Sequence, residues 1–246
     1  MSSTEIRIAM WSGPRNISTA LMRSWDARGD TAVCDEPLYA CYLAATGADH
    51  PGRERIIEDG ETDWARVVAM LTGKIPGGRP IFYQKHMAHH LLPEFGRTWL
   101  AALRHALLVR DPREMLASLA RVTPHPRLDD TGLPQQCLLY DEVAQREGRA
   151  PPVLDAADVL RDPAGQLAAL CAALGVPFRR SMLSWRAGPR PTDGVWAEHW
   201  YGEVERSTAF RPHGPKNIEL PDRLAPLLDE CRPYYERLHA RRLVTS

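Results

Sequence analysis

The chain has no surplus of charge. Its 246 residues carry 31 acidic and 31 basic side chains, so no global field draws in DNA, RNA or an anionic membrane, and neither a nucleic-acid nor a membrane partner is expected. No apolar stretch reaches 18 residues, and the N-terminus, Met1 to Arg7, is polar. That argues against a membrane-spanning helix and a signal peptide and leads to the expectation of a cytoplasmic protein. Cys34, Cys41, Cys137, Cys171 and Cys231 are odd in number and widely spaced, with no Cys-x-x-Cys pair. A disulfide framework and a zinc site both fail on that count, and the cysteines read as small apolar fillers. Lysine is confined to Lys74, Lys85 and Lys216. With arginine supplying almost all the positive charge and Ala, Pro and Gly abundant, the composition points to a GC-rich bacterial genome.

Against these absences stands the run Trp11-Ser12-Gly13-Pro14-Arg15-Asn16-Ile17-Ser18-Thr19. It follows the apolar segment Ile6 to Met10 and opens a segment with Leu21, Met22 and Trp25 at helical spacing, so it reads as strand, tight loop, helix. The first N–H groups of such a helix lack intrahelical partners and sit at the positive end of the dipole, which suits an anion. Arg15 adds a fork of donors, and Asn16, Ser18 and Thr19 add short ones. It is not a Walker A loop: with Thr19 at the Ser/Thr position, Ile17 stands at the second glycine and Ser18 at the lysine. Taken alone, the loop is also compatible with a plain turn carrying a surface arginine.

A second strand-to-helix junction lies at Ala106-Leu107-Leu108-Val109-Arg110-Asp111-Pro112-Arg113-Glu114. Asp111 as N-cap, Pro112 at the first helical position and Glu114 three residues after the cap form a helix-start signal, and the helix is expected to reach about Arg121. Ser118 shares a face with Asp111 and Met115, on the side Arg110 can reach.

Taken together, the two junctions resemble those of sulfotransferases that use 3′-phosphoadenosine 5′-phosphosulfate (PAPS), of the small bacterial kind. That family holds the 5′-phosphosulfate with a Pro-Lys/Arg-Ser-Gly-Thr-Thr loop, where this chain has Pro14-Arg15-Asn16-Ile17-Ser18-Thr19. It holds the 3′-phosphate with an Arg and a Ser eight residues later, here Arg110 and Ser118. The resemblance implies PAPS as cofactor and a P-loop-like sulfotransferase architecture. Asn16 and Ile17 depart from the pattern. A β-branched residue does not readily take positive φ, so the loop is expected to keep an ordinary backbone path. A basic loop, Phe210 to Lys216, stands where the family covers the 3′-phosphate, which implies Arg211 and Lys216 as further ligands. The segment Pro152 to Pro177 is similar to the family's strand and helix before its leucine-glycine turn.

The length suits one domain over residues 1–246. Strand-like runs at Ile6–Met10, Thr31–Cys34, Pro80–Tyr83, Ala106–Val109 and Val153–Leu154 alternate with helical patterns, predicting an α/β fold with a central parallel sheet flanked by helices. Ligands of such sheets sit past the carboxyl ends of the strands, where Arg15, Glu36, His86 and Arg110 are expected. Residues 37–78 read as a helical excursion, about 121–134 as a mobile loop, and about 218–242 as a closing helix.

Two residues compete for the base that takes the acceptor's proton. The segment Lys85-His86-Met87-Ala88-His89-His90-Leu91-Leu92-Pro93 is similar to the family's Lys-Thr-His-Leu-Pro-x-x-Leu-Leu-Pro; matching Leu-Leu-Pro puts His86 on the catalytic histidine and displaces Lys85 by one. Glu36 is the rival, since bacterial and carbohydrate sulfotransferases place a glutamate after strand two. The alternatives are that Glu36 caps a helix and that His86, His89 and His90 form a solvated cluster. A metal is rejected because the histidines have no carboxylate on the same turn. The aromatic stretch Trp196 to Tyr201, like Trp185, reads as core before it reads as adenine or acceptor wall. The expected activity is sulfuryl transfer from PAPS to a hydroxyl or amine of a small-molecule acceptor. A P-loop kinase or nucleotide hydrolase and a non-catalytic nucleotide-binding module stay open beside it.

Overall fold

The computed structural model describes residues 5–214 and 218–245. Five strands, β1 (Ile6–Ser12), β2 (Thr31–Asp35), β3 (Ile81–Met87), β4 (Arg104–Val109) and β5 (Val153–Asp155), form one sheet in the order β2-β3-β1-β4-β5. Every pairing is parallel, as the near-continuous apolar runs require of strands covered on both faces.

The pleat divides the core in two. Ile8 and Met10 of β1, Tyr83 of β3 and Leu108 of β4 face α1 (Ser18–Asp26), α7 (Ala156–Arg161) and α8 (Pro163–Ala173), where they pack with Leu21, Met22, Trp25, Val159 and Leu170. Ala9, Trp11, Phe82 and Leu107 face the other way, against α4 (Trp64–Thr72), α6 (Leu133–Glu147) and α11 (Ala225–His239). The last helix also packs with Met115, Leu116 and Leu119 of α5 (Pro112–Leu119) in a smaller cluster. Past it, Leu243 N donates to Val153 O at 2.8 Å, and Arg242 bridges to Val153 in parallel, so the tail covers the β5 edge.

The connection after β1 runs to one side of the sheet, toward β2, and those after β3 and β4 to the other. Such a reversal opens a crevice past the carboxyl end of β1, where ligands of open α/β sheets bind.

Several expected boundaries move, among them β1, which runs on to Ser12, and α5, which ends at Leu119. β3 runs on to Met87, so Lys85 and His86 lie within the strand and not beyond it. The closing helix spans Ala225–His239, after a short 3₁₀ turn at Asp222–Leu224. The 37–78 excursion holds α2 (Tyr39–Thr46), α3 (Arg53–Asp59) and α4. The segment expected as a loop over 121–134 carries a turn at Asp129–Thr131 and passes into α6 at Leu133. Its Thr131 and Leu133 are buried, and Thr131 O lies where any Cβ on Gly13 would have to go. Gly13 is therefore a glycine because the backbone of this segment passes directly over it.

Candidate functional site

Among the described residues, three non-glycine residues have positive φ: Arg15 (60°), Ile17 (59°) and Glu36 (42°). All three sit just past the carboxyl ends of β1 and β2. Left-handed backbone costs an L-residue about 1–2 kcal/mol, and such strain gathers where a site demands it. Ile17 corrects the expectation of an ordinary backbone path. It is the N-cap of α1 in left-handed conformation (ψ 14°) with no side-chain cap, and its side chain packs against the α1 face of the core. Anchoring of that side chain, together with Leu21 N donating to Ile17 O at 3.0 Å, holds a conformation that local propensity disfavours. No side chain caps the first N–H groups of α1, the groups of a helix that suit an anion.

Around this loop the two strand-to-helix junctions meet. Arg15 Nε donates to Ser118 Oγ at 2.9 Å, and Arg110 Nη1 donates to Arg15 O at 2.5 Å. Burial lowers the Arg15 pKa, with Arg110 and Arg121 adding repulsion and Glu203 opposing it. Ser18 is buried and Thr19 half-buried at the head of α1. Asn16 Nδ2 donates to Leu108 O at 3.2 Å, which ties the loop to the end of β4. Gln136 of α6 ties the ends of β1 and β4 together, donating to Trp11 O and Leu108 O.

Asp111 caps α5 as expected, accepting from Arg113 N at 2.8 Å and Glu114 N at 3.4 Å. Glu114, however, turns its carboxylate to Arg110 (2.7 Å from Nη2) and to His213 Nε2 (3.1 Å). Among the described residues of the basic loop, His213 is one that reaches this corner. Arg211 is 63% exposed, with Nη1 3.9 Å from Glu203 Oε2. Lys216 lies outside the described residues.

A second cluster forms at the ends of β2 and β3. Asp35 and Lys85 are register partners, and Lys85 Nζ donates to Asp35 Oδ1 (2.7 Å), Glu36 Oε1 (2.6 Å) and Tyr201 OH (2.6 Å). The Tyr201 hydroxyl donates in turn to Asp35 Oδ2 (2.6 Å) and accepts from Trp196 Nε1 (3.2 Å). All three ammonium protons have partners, as a 1% exposed lysine requires. Burial pulls the Lys85 pKa down, but Asp35 and Glu36 outweigh it and hold the ammonium well above the usual lysine range. Burial raises the Glu36 carboxyl; Lys85 opposes the rise and Asp35 adds to it. Glu36 does not cap the next helix, because α2 has no side-chain cap.

The pleat puts Lys85 and His86 on opposite faces of β3. His86 stacks on its register partner Trp11 (centroids 4.3 Å, 22°), lies near Trp99 and is 1% exposed. Burial, with His105 nearby, pushes its pKa down to about 3. The histidines are not the solvated cluster their spacing allows. His90 is buried, stacked on Tyr39 (4.5 Å, 7°) and Tyr42 (4.7 Å, 25°), with Nδ1 3.9 Å from Glu36 Oε2. Burial first, then His89, lowers its pKa well below the usual range.

Sequence reasoning gave no site role to Asp35 or His213, and named His90 and Tyr201 only within a histidine cluster and an aromatic stretch. Tyr201 reaches the cluster because the segment before it is pinned to α1: Arg23 and Asp193 form a two-pronged pair, both contacts 2.6 Å, with side chains 2% and 5% exposed. The signal for Tyr201 lay in the aromatic density of residues 196–201, which composition alone assigns to core.

Residues 6–242 match the family model described as sulfotransferase domain. The chain is 37% identical over 241 residues to branched-chain-amino-acid aminotransferase-like protein 1 of Arabidopsis thaliana and 35% identical over 232 residues to protein 2 of that name. These matches cover 98% and 94% of the chain but 42% and 41% of the relatives, so the chain spans less than half the length of the curated relatives it matches. Among solved structures, the sulfotransferase domain from the curacin biosynthetic pathway superposes with a TM-score of 0.54 at 19% identity, covering 97% of this chain and 99% of its own. A sulfotransferase from Alicyclobacillus acidocaldarius gives 0.55 at 14%, covering 98% of each chain. At such identities the likeness is one of fold, and it agrees with the parallel sheet described above. With a family match that runs from the first strand to the tail that covers β5, the chain belongs to the sulfotransferase domain family.

Proposed function

We propose that the protein transfers a sulfuryl group from PAPS to a hydroxyl or amine of a small-molecule acceptor. The observation that carries this reading is the Arg15–Ser118 contact, reinforced by Arg110 on the Arg15 carbonyl. Two anion-holding motifs some hundred residues apart in the chain thereby share one crevice, as a donor with phosphate groups at both ends of a nucleoside needs. The residues fit such a donor: no side chain caps the head of α1, where Ser18 and Thr19 stand, and two guanidiniums converge beside it.

When bound, PAPS supplies an activated sulfuryl group on an adenosine bisphosphate leaving group. Arg15, the first N–H groups of α1, Ser18 and Thr19 hold the phosphosulfate end, while Arg110 and Ser118 hold the 3′-phosphate. Positioning and fixed positive charge of this kind contribute most of the rate in related group transfers. Glu36 accepts the acceptor's proton at Oε2; its other oxygen is held by Lys85, which fixes the carboxylate without neutralising it. Raising of the Glu36 pKa by burial suits a base. His86, on the opposite face of the sheet and pushed down to about 3, fits that role less well.

Calorimetric titration of the protein with adenosine 3′,5′-bisphosphate, beside ATP, tests this. Tight binding of the bisphosphate, lost in Arg110→Ala, is expected. Equal or tighter binding of ATP would overturn the reading and return the nucleotide-hydrolase alternative.

A further inference from the structure

The histidine that sequence spacing passes over is the one that faces the proposed base. His90 is 2% exposed, and its Nδ1 has no hydrogen-bond partner. A buried, unpartnered polar atom costs about 1–3 kcal/mol, and native structures rarely retain one without a use. Opposite it, at 3.9 Å, stands Glu36 Oε2, the oxygen that Lys85 leaves open, since Lys85 engages Oε1.

Neither side can close that gap. Glu36 is fixed by the Lys85 contact, by its own left-handed backbone (φ 42°) and by Glu36 N donating to Lys85 O at 2.9 Å. The His90 ring is clamped between Tyr39 and Tyr42, on a 3₁₀ turn at Ala88–His90 directly after β3. The separation is too long for a direct hydrogen bond and short enough for one shared atom. An atom about 2.8 Å from each sees the two at an angle of roughly 90°, which a hydroxyl or amine accommodates.

We propose that the acceptor's attacking atom sits between Glu36 Oε2 and His90 Nδ1, which makes His90 a second catalytic residue. The inference rests on the sulfuryl-transfer reading above. In the step, the acceptor oxygen or nitrogen forms its bond to sulfur as the bond from sulfur to the phosphate oxygen breaks. The acceptor's proton passes to Glu36 Oε2, and the leaving electron pair stays on the phosphate of adenosine 3′,5′-bisphosphate. His90 Nδ1 bonds the same atom, donating to one lone pair of an oxygen or accepting the second proton of a nitrogen, and so leaves one lone pair aimed at sulfur. Tyr39 and Tyr42 take no part in proton transfer; they hold the ring in place.

Water is the smallest acceptor that fits the gap, so the probe is release of inorganic sulfate from PAPS. His90→Phe keeps a ring on Tyr39 and Tyr42 but deletes the nitrogen; sulfate release is expected to fall about 100-fold, the scale set by lost positioning. His90→Asn places an amide near the position of Nδ1 and is expected to stay within about 3-fold of wild type, on the same positioning scale. Calorimetric affinity for adenosine 3′,5′-bisphosphate should not change in either variant. Independently of turnover, a crystal structure of the free wild-type protein should hold a water within hydrogen-bond distance of both Glu36 Oε2 and His90 Nδ1. Normal sulfate release in His90→Phe, equal loss in both variants, no release from the donor-bound wild type, or a gap without that water would each overturn the proposal. Failure of the wild type to bind the bisphosphate would instead remove the underlying reading.

Discussion

Lys85 Nζ lies 2.6 Å from Glu36 Oε1 with the lysine 1% exposed and the carboxylate side chain 11% exposed. One ammonium thus serves two carboxylates, because Asp35 takes a second of its protons. Burial of this kind gains little net stability while intact and costs much when one partner is removed.

Lys85→Met should therefore destabilise the protein by about 3–5 kcal/mol, since Asp35 and Glu36 are left buried against each other. The pH dependence has a definite sign. Burial already holds the folded pKa of Glu36 above its unfolded value, so its contribution to stability is full below about pH 4.3 and is lost as pH rises through the folded value. Removal of the ammonium raises that folded value further and enlarges the loss. Denaturant unfolding of variant and wild type at pH 5 and pH 8 measures it: the gap between them should be wider at pH 8.

Tyr201→Phe deletes a hydroxyl that accepts from Lys85 and Trp196 and donates to Asp35. A loss of about 1–3 kcal/mol is expected from the unpaired groups left behind, again by denaturant unfolding. Because the hydroxyl also ties the 193–201 segment to the sheet, limited proteolysis should cut that segment faster in the variant.

At Ile17, glycine can hold φ near 59° without the roughly 1–2 kcal/mol of strain borne by an L-residue. Relief of that strain offsets the lost side-chain packing, so Ile17→Gly should stay within about 1 kcal/mol of wild type. Gly13→Ala should behave oppositely, at about 2 kcal/mol or more of destabilisation, because its Cβ runs into Thr131 O. Thermal unfolding of the pair checks both; comparable losses would show that Ile17 is not strained.

Glu36→Gln should lower sulfate release from PAPS by about 100-fold or more, the low end of what a general base contributes. His86→Phe, which keeps a ring on Trp11, should retain most of the activity. The reverse order would return the base to His86.

All five strands were legible because apolar runs bounded by turn residues survive any context, and the order of the elements already implied a parallel sheet. Both strand-to-helix junctions were legible for a similar reason, as each is a local signal: an apolar run followed within a few residues by a proline, an arginine and a helical pattern. Three things were not. The left-handed Ile17 contradicts its own propensity and is held by the core beneath it. Asn16 reads as a donor to an anion, and the carbonyl to which its amide donates lies on a strand about 90 residues away in the chain. The displaced Lys85 looked like a departure from a family pattern until the sheet register set it opposite Asp35.

Sequence alone therefore determined which elements form and which short motifs could hold an anion, since helix starts, strand runs and glycine turns depend on neighbours a few residues apart. Tertiary structure decided which of the chemically equivalent side chains meet. Alternation along β3 turned Lys85 toward the two carboxylates and His86 toward Trp11, and the 3₁₀ turn after the strand carried His90 back to Glu36. Those choices depend on strand register and on packing between segments 50 to 170 residues apart, distances over which local sequence carries no geometric information.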